Sequence, residues 1–434
     1  MRKLPLAIWA MVVGAFAMGA DEFIVAGVVR EIAQSLNVTI GAVGALESVY
    51  ALGVAIGAPV FTALGTRFGR RSMLLTTTGV FLLGNLVSAL GPAYDTIMAG
   101  RIISAMAHGA FLGIAAVYAA ELVDPSRKGR AVAIVFSGLT ASTVLGAPIG
   151  AAIGQAFGWR FTFWTLVVFG GIALLGLIGS LGRRGTADVH HEHHHDSRPG
   201  AEFEGLDAHA LAHLGGAGQG PTMREQLAAL RRPAVWGALL TTMLGYGGVF
   251  TSYVYLAPQI TEVTGFEAGW VTPLLLLFGI GLFLGNHLGG KLADRAVMPT
   301  VIATLGALAV VLFAMTFAIE SRPATVVMML VFGTAAFAVV APLQLRVMMA
   351  AGQAPDVASA ANISAFTLGS AIGIYLGGAA IDGGLGLSSV NWVGGLLTTA
   401  GLLTALATWR LVDQRPAVPA DHHHHAPPAT HHHH

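Results

Sequence analysis

The chain has no cysteine in its 434 residues. That excludes disulfides, thiolate metal sites and a cysteine nucleophile anywhere in it. Charge is nearly as scarce: charged residues make up 10%, against ~25% in soluble domains. With 55% hydrophobic residues and a mean hydropathy of +0.71, the composition is that of a polytopic membrane protein. Basic and acidic residues nearly cancel at 23 against 22, so no surface suited to nucleic acid is expected. No G-x-x-x-x-G-K-[ST] loop occurs, which argues against an ATP-driven pump, and neither HExxH nor GxSxG is present, so the chain reads as a non-enzyme without a cofactor.

What is present is long apolar runs. A hydrocarbon core ~30 Å thick takes ~20 residues at ~1.5 Å each. Twelve runs of about that length occur, over 4–29, 40–64, 73–90, 96–122, 131–157, 161–181, 234–260, 269–292, 299–319, 324–351, 357–381 and 389–411. The first is too long for a signal-peptide core and reads as a retained helix. Between the sixth and seventh runs lies a polar, His- and Gly-rich stretch without apolar periodicity, which reads as a disordered linker. The 57 glycines suit membrane helices that pack through small residues.

Lys and Arg set the orientation. With a cytoplasmic N-terminus, 19 basic residues fall in inside segments, among them Arg67, Arg70, Arg71, Arg127, Lys128, Arg130, Lys291, Arg295 and Arg346. Arg30, Arg160 and Arg322 fall outside, and Arg101 is left within a membrane helix. Both termini are therefore expected inside. The turn after the second helix, from Leu64 through Thr66, Arg67, Gly69 and Arg70 to Arg71, recurs after the eighth as Gly290, Lys291, Leu292, Ala293, Asp294 and Arg295. Aligning Thr66 with Asp294 gives an offset of 228 residues, about half the chain. The reading is an all-α membrane protein of twelve transmembrane helices in two six-helix bundles. Its parts are a first bundle over 1–182, a linker over 183–233, a second bundle over 234–412 and a His-rich tail over 413–434, with a midplane cavity between the bundles.

At these turns the chain resembles the major facilitator superfamily, whose loop signature is G-x-L-a-D-R-x-G-R-R. Gly290 to Arg295 match its first half; the earlier copy keeps Arg67, Gly69, Arg70 and Arg71 but has Thr62 for the glycine and Thr66 for the aspartate. More narrowly it is similar to the twelve-helix drug:proton antiporters of the arabinose-efflux and chloramphenicol-exporter type. That likeness rests on Gly19, Glu22, Phe23 and Gly27 in the first helix, 50–59 in the second, and Arg101 with His108 to Gly113 in the fourth. Residues 261–266, 284–286, Ala358, Ala360 and Asn362 extend it through the second half. The antiporter motif of the fifth helix is present in relaxed form as Gly146, Ala147, Pro148, Ile149 and Gly150, and Arg30 stands where the subgroup usually has proline. The resemblance implies a multi-pass inner-membrane transporter, monomeric, that exchanges protons for a small molecule by alternating access and contributes to multidrug efflux and antibiotic resistance. It also implies that Arg67, Gly69, Arg70, Arg71, Gly290, Asp294, Arg295, Gly146, Pro148 and Gly150 serve gating. With Thr66 unable to carry charge, the cytoplasmic lock would rest on Asp294 and Arg295.

An ionisable side chain in hydrocarbon costs at least ~2.5–3.5 kcal/mol, so each one is a functional candidate. Asp21 and Glu22 in the first helix and Arg101 in the fourth lie at similar depth and can pair. The two acids point ~100° apart, so they do not share a groove, and the motif favours Glu22. The bland alternative is a static pair that orients two helices. His108, seven residues after Arg101, lies on nearly the same helical face and suits proton relay or substrate contact, or simple packing. Glu47 reads as an interfacial, solvated residue with a smaller prospect of lining the pathway. Tyr50, Tyr253, Tyr255, Asn286, His287 and Asn362 complete the cavity candidates. Histidines at 190, 191, 193, 194 and 195 in the linker (His190, His191, His193, His194, His195), with more in the tail, suit weak binding of zinc, nickel or cobalt. Three functions follow: proton-coupled export of a small organic compound such as a drug, sugar or metabolite; export of a divalent metal; or a non-transporting receptor on the same fold. The first needs intramembrane Glu22 and Arg101. The second lacks a coordinating His and carboxylate cluster in the helices.

Overall fold

A computed structural model describes residues 4–65, 68–124, 127–181, 230–352 and 355–413, with backbone alone at a few helix ends. The linker, the tail, the five linker histidines, Thr66 and Arg67 lie outside the described residues. Among the described residues, twelve helical segments are long and apolar enough to cross a membrane. In chain order the main helices are α1 (Leu6–Ile24), α2 (Val29–Leu36), α3 (Ile40–Gly65), α4 (Arg70–Leu90), α5 (Tyr94–Glu121), α6 (Lys128–Phe157) and α7 (Arg160–Leu181). The second half has α8 (Pro233–Tyr253), α9 (Val271–Ala293), α10 (Val297–Ala318), α11 (Arg322–Ala338), α12 (Val340–Ala351), α13 (Pro355–Ala380) and α14 (Ser389–Asp413). Helix α2 does not span. It is a short amphipathic piece that closes on Asn37, whose φ of 53° is tolerated because a short polar side chain accepts the left-handed region.

The 228-residue offset holds well beyond the loop. It carries α3 onto the segment 268–293, α4 onto α10 and α5 onto the span Arg322–Ala351, to within a few residues at each end. In the first half α1 packs on α6 and α7, and α5 packs on α3 and α4; in the second α8 packs on α13 and α14, and α9 on α11. The halves meet along two seams, α3 with α13 and α6 with α9. Alternating spans put the start of α1 and the end of α14 on one face, called proximal here, and the end of α1 on the opposite, distal face.

Two sequence spans are interrupted. The tenth run breaks at Val339 into α11 and α12, where Pro342 lacks the N–H that would continue the helix ladder. The seventh stops at Tyr253 and continues as a turn at Leu256–Pro258 and a π-turn at Gln259–Val263. A buried polar trio supports that second break: the Ser252 hydroxyl donates to Asn391 Oδ1 at 2.6 Å, and Asn391 Nδ2 donates to Gln259 Oε1 at 2.7 Å. In hydrocarbon such groups must satisfy one another.

Arg346 requires a correction. Counted among the inside basic residues, it is instead fully buried in α12. It donates to the Thr241 hydroxyl at 2.7 Å and to the Thr408 hydroxyl at 2.5 Å. Helix α12 runs on past it, so the charge is held inside the second bundle by hydroxyls of α8 and α14. Loop counting cannot see this.

Candidate functional site

Four polar residues of the first bundle reach one depth. Asp21 lies six residues before Gly27, Glu47 seven after Ile40, Asn85 five before Leu90 and Arg101 seven after Tyr94. At ~1.5 Å per residue all lie ~10 Å below the distal ends of their helices. They converge. Arg101 Nη1 donates to Asp21 Oδ1, and also to the Asp21 carbonyl at 3.0 Å, while Nη2 donates to Glu47 Oε1 at 2.5 Å. Asn85 Nδ2 donates to Asp21 Oδ2 at 3.1 Å. Arg101 and Asp21 are 0% exposed and Glu47 only 3%, so the cluster is sealed from both bulk water and lipid.

The guanidinium also stacks over the Tyr50 ring, with its carbon 3.9 Å from the centroid. The Tyr50 hydroxyl and His108 Nδ1 share a 3.0 Å hydrogen bond. Because His108 is seven residues further along α5, Arg101, Tyr50 and His108 form a chain reaching ~10 Å from the acids toward the proximal face.

Two readings of the acids change. Asp21, not Glu22, is the ion-pair partner of Arg101 in α1, and Glu47 is neither interfacial nor solvated. The physical reason is depth: Glu47 stands two helical turns into α3, opposite a guanidinium with two terminal nitrogens to satisfy. Glu22, about 100° around α1, is half-buried and has no hydrogen bond or ion pair among the described residues. Tyr246 and Tyr253 of the other bundle lie near it. Next to it, Phe23 packs edge-on to Tyr253 at 5.8 Å, and the Tyr253 hydroxyl donates to the Phe23 carbonyl at 3.4 Å. Asn85 was not anticipated. The signal for it was an amide inside an apolar run at the depth of Asp21.

The other candidates separate. Asn286 and His287 line a cavity in the proximal half, away from the ion cluster. Asn362 is buried near the proximal end of α13, where its Nδ2 donates to Gln344 Oε1 at 2.7 Å. The Tyr255 hydroxyl donates to the Ile374 carbonyl at 2.8 Å, a tie between α13 and the turn after α8. Among the gating candidates, Gly69 precedes α4 and Arg70 pairs with Glu121 across the proximal ends of α4 and α5, while Arg71 is exposed. Asp294 and Arg295 stand exposed at the end of α9 and form no ion pair among the described residues. In α6, Gly146, Pro148 and Gly150 are buried, with Gly146 and Gly150 facing α1. A Cβ on Gly150 would come within 2.2 Å of the Ile24 carbonyl oxygen, so the glycine is needed for close approach of the two backbones. No group of three or more His, Asp or Glu side chains suited to a metal occurs among the described residues.

Polar contacts tie the bundles at the distal end. Arg30 pairs with Glu262 at 3.5 Å, the Thr39 hydroxyl donates to Asp382 at 2.9 Å, and Gln155 Nε2 donates to the Ala268 carbonyl at 2.8 Å. The Ser48 hydroxyl donates to the Ala371 carbonyl below them.

Residues 11–374 match the profile of the Major Facilitator Superfamily. The chain is 38% identical over 94% of its length to the inner membrane transport protein YdhP of Escherichia coli, 97% of which is covered. It is 33% identical to a chloramphenicol resistance protein of Streptomyces lividans, over 96% of this chain and 99% of that one. The crystal structure of a D-xylose-proton symporter matches with a TM-score of 0.67 at 19% identity, covering 94% of this chain and 97% of the other.

Proposed function

Because the chain belongs to the major facilitator superfamily and is a multi-pass transporter of the inner membrane, we propose that it is a proton-coupled antiporter exporting a small organic compound from the cytoplasm. The proximal face, which carries the basic turns, is then cytoplasmic. The observation that carries the reading is the charge balance within the first bundle. One guanidinium faces Asp21 and Glu47, and Glu22 adds a third carboxylate at the same level. One cation neutralises one anion. Two carboxylates remain, and in hydrocarbon they reach neutrality by binding protons or a cation.

The buried and half-buried acids divide the work. Asp21, Glu47 and Arg101 form the sealed store whose proton count can change. Glu22, facing the other bundle, meets whichever side the cavity opens to, and the Tyr50–His108 hydrogen bond, reached from Arg101 through the stack on the Tyr50 ring, extends the polar path toward the proximal face. Alternating access follows if the two bundles rock about their seams, with the distal ties made in the present state and broken in the other. Export is supported by the named activity of the chloramphenicol-resistance relative. The linker histidines lie outside the described residues, and no metal-suited cluster among the described residues adds support for metal export.

The test is uphill transport of chloramphenicol and a wider substrate panel in vesicles under an imposed pH gradient. Glu22→Gln, neutral and of equal shape, should lower uphill flux about tenfold or more while leaving expression unchanged. Wild-type uphill flux in that variant removes Glu22 from the mechanism.

A further inference from the structure

Asp21 and Glu47 share one guanidinium but are not held alike. Both carboxylate oxygens of Asp21 face donors: Oδ1 accepts from Arg101 Nη1, and Oδ2 accepts from Asn85 Nδ2 at 3.1 Å. An ionised carboxylate only accepts, whereas a protonated one must place an O–H. On Asp21 no oxygen is free to carry it. Glu47 differs: Oε1 accepts from Arg101 Nη2 at 2.5 Å, and Oε2 accepts no hydrogen bond among the described residues. Since one guanidinium neutralises one of the two acids, the other must be neutral to remain in hydrocarbon without a further cation. The vacant oxygen for that proton is on Glu47.

Glu47 also borders the seam between the bundles. On α3, a Cβ at Gly41 would meet Asp382 and the Gly378 carbonyl, and one at Gly44 would meet the Tyr255 hydroxyl, while Ser48 bonds to Ala371. That face looks onto the second bundle. Gly53, by contrast, abuts Ala105 of α5. At ~100° per residue Glu47 falls between these two faces, on the flank opposite the exposed Leu52 and Ile56. The charged groups around it are Asp21 and Glu22 of α1 and Arg101 of α5. Tyr50 lies on its own helix, bonded to His108, and Tyr253 and Tyr255 lie near it from the second bundle. Helix α13 adds no charge there, because 357–380 hold no Asp, Glu, Lys, Arg or His. At the distal mouth α2 brings Glu31 and Arg30, the latter already paired with Glu262.

We propose that Glu47 is a second proton carrier beside Glu22, loaded on Oε2 from the distal side when the α3–α13 seam parts, while Asp21 stays ionised as the fixed counter-charge of Arg101. This rests on the reading of the chain as a proton-coupled antiporter and divides the store into a moving part and a fixed part. The proton comes from distal water as the ties of Thr39 to Asp382 and Ser48 to Ala371 break, and returns to water on the proximal side when the bundles rock back.

Infrared spectroscopy can locate this proton by residue type. Full-length protein carrying Glu22→Gln is produced with ¹³C in the side-chain carboxyl of glutamate and, separately, of aspartate. Glu47 is the one buried glutamate among the described residues. At neutral pH the C=O stretch of a protonated carboxyl should be present, should shift with the glutamate label but not the aspartate label, and should vanish reversibly as the pH is raised. No such band, a band that follows the aspartate label, or a glutamate band indifferent to pH overturns the proposal. Transport supplies a second measurement, normalised to folded protein. Glu47→Gln keeps an acceptor for Arg101 Nη2 but cannot release a proton, so uphill chloramphenicol flux should fall about tenfold, with part of it recovered in Glu47→Asp. Wild-type flux in Glu47→Gln also overturns it, since a purely structural hydrogen bond would survive that change. The infrared measurement needs neither gradient nor substrate and so stands apart from the Glu22→Gln flux experiment: uncoupled transport would leave the Glu47 band in place, and an absent band would leave coupling through Glu22 in place.

Discussion

The two bundles share a scaffold and differ in what they bury. Shifted by 228 residues, Asp21, Glu47, Asn85 and Arg101 fall on Val249, Leu275, Phe313 and Met329. Val249, Leu275 and Met329 are as deeply buried as their counterparts, at 2% exposure or less. An apolar core therefore suffices to hold six such helices together at this depth. The first bundle replaces it with two acids, an amide and a guanidinium, which cost free energy in hydrocarbon and add no contact the fold requires. The comparison separates architecture from chemistry: what the second bundle does without is what the first bundle uses. The second bundle has its own buried cation, Arg346, whose counterpart is Tyr118, but it is held by threonine hydroxyls and faces no carboxylate among the described residues.

The most disruptive way to test this is to write one bundle's residue into the other. Arg101→Met leaves Asp21 and Glu47 buried without their cation. It should abolish uphill transport and cost about 3–5 kcal/mol of stability, seen as a lower melting temperature in detergent. Unchanged melting would mean that the cluster is no more than a polar patch on an apolar core.

A smaller effect is expected at the other buried arginine. Arg346→Met removes a desolvated charge along with its hydrogen bonds to Thr241 and Thr408, two opposing contributions. Stability should change by no more than about 1 kcal/mol and substrate flux by no more than about twofold. Loss of proton coupling in this variant would erase the distinction between a working cluster in one bundle and a structural tie in the other.

The smallest effect concerns the unequal loop motifs. Thr66 carries no charge where its counterpart Asp294 does, so Asp294→Asn should alter closure of the cytoplasmic mouth more than Thr66→Ala. Crosslinking between cysteines placed across that mouth measures both. Equal effects would mean that the two copies of the motif contribute alike despite their different charge.

The sequence carried the spans because hydrocarbon demands about twenty apolar residues per crossing, and that demand is local. The repeat was legible for the same reason: turns and spans recur at a fixed offset. Even the depth of Asp21, Glu47, Asn85 and Arg101 can be counted along each helix at a constant rise. Which of these groups meet depends on helix rotation and on which helices are neighbours, neither of which a single run encodes. Glu22 and Asp21 are adjacent in the chain, yet about 100° of rotation gives one to Arg101 and leaves the other facing the second bundle. Glu47 looked peripheral until α3 was set beside α5, and Arg346 looked cytoplasmic until α12 was seen to run on beyond it. Composition and periodicity determined that the chain crosses a membrane twelve times in two related halves. Tertiary packing alone decided that Arg101 binds two acids and that Asn286 and His287 stand apart from them, because each of these is a relation between helices far apart in sequence.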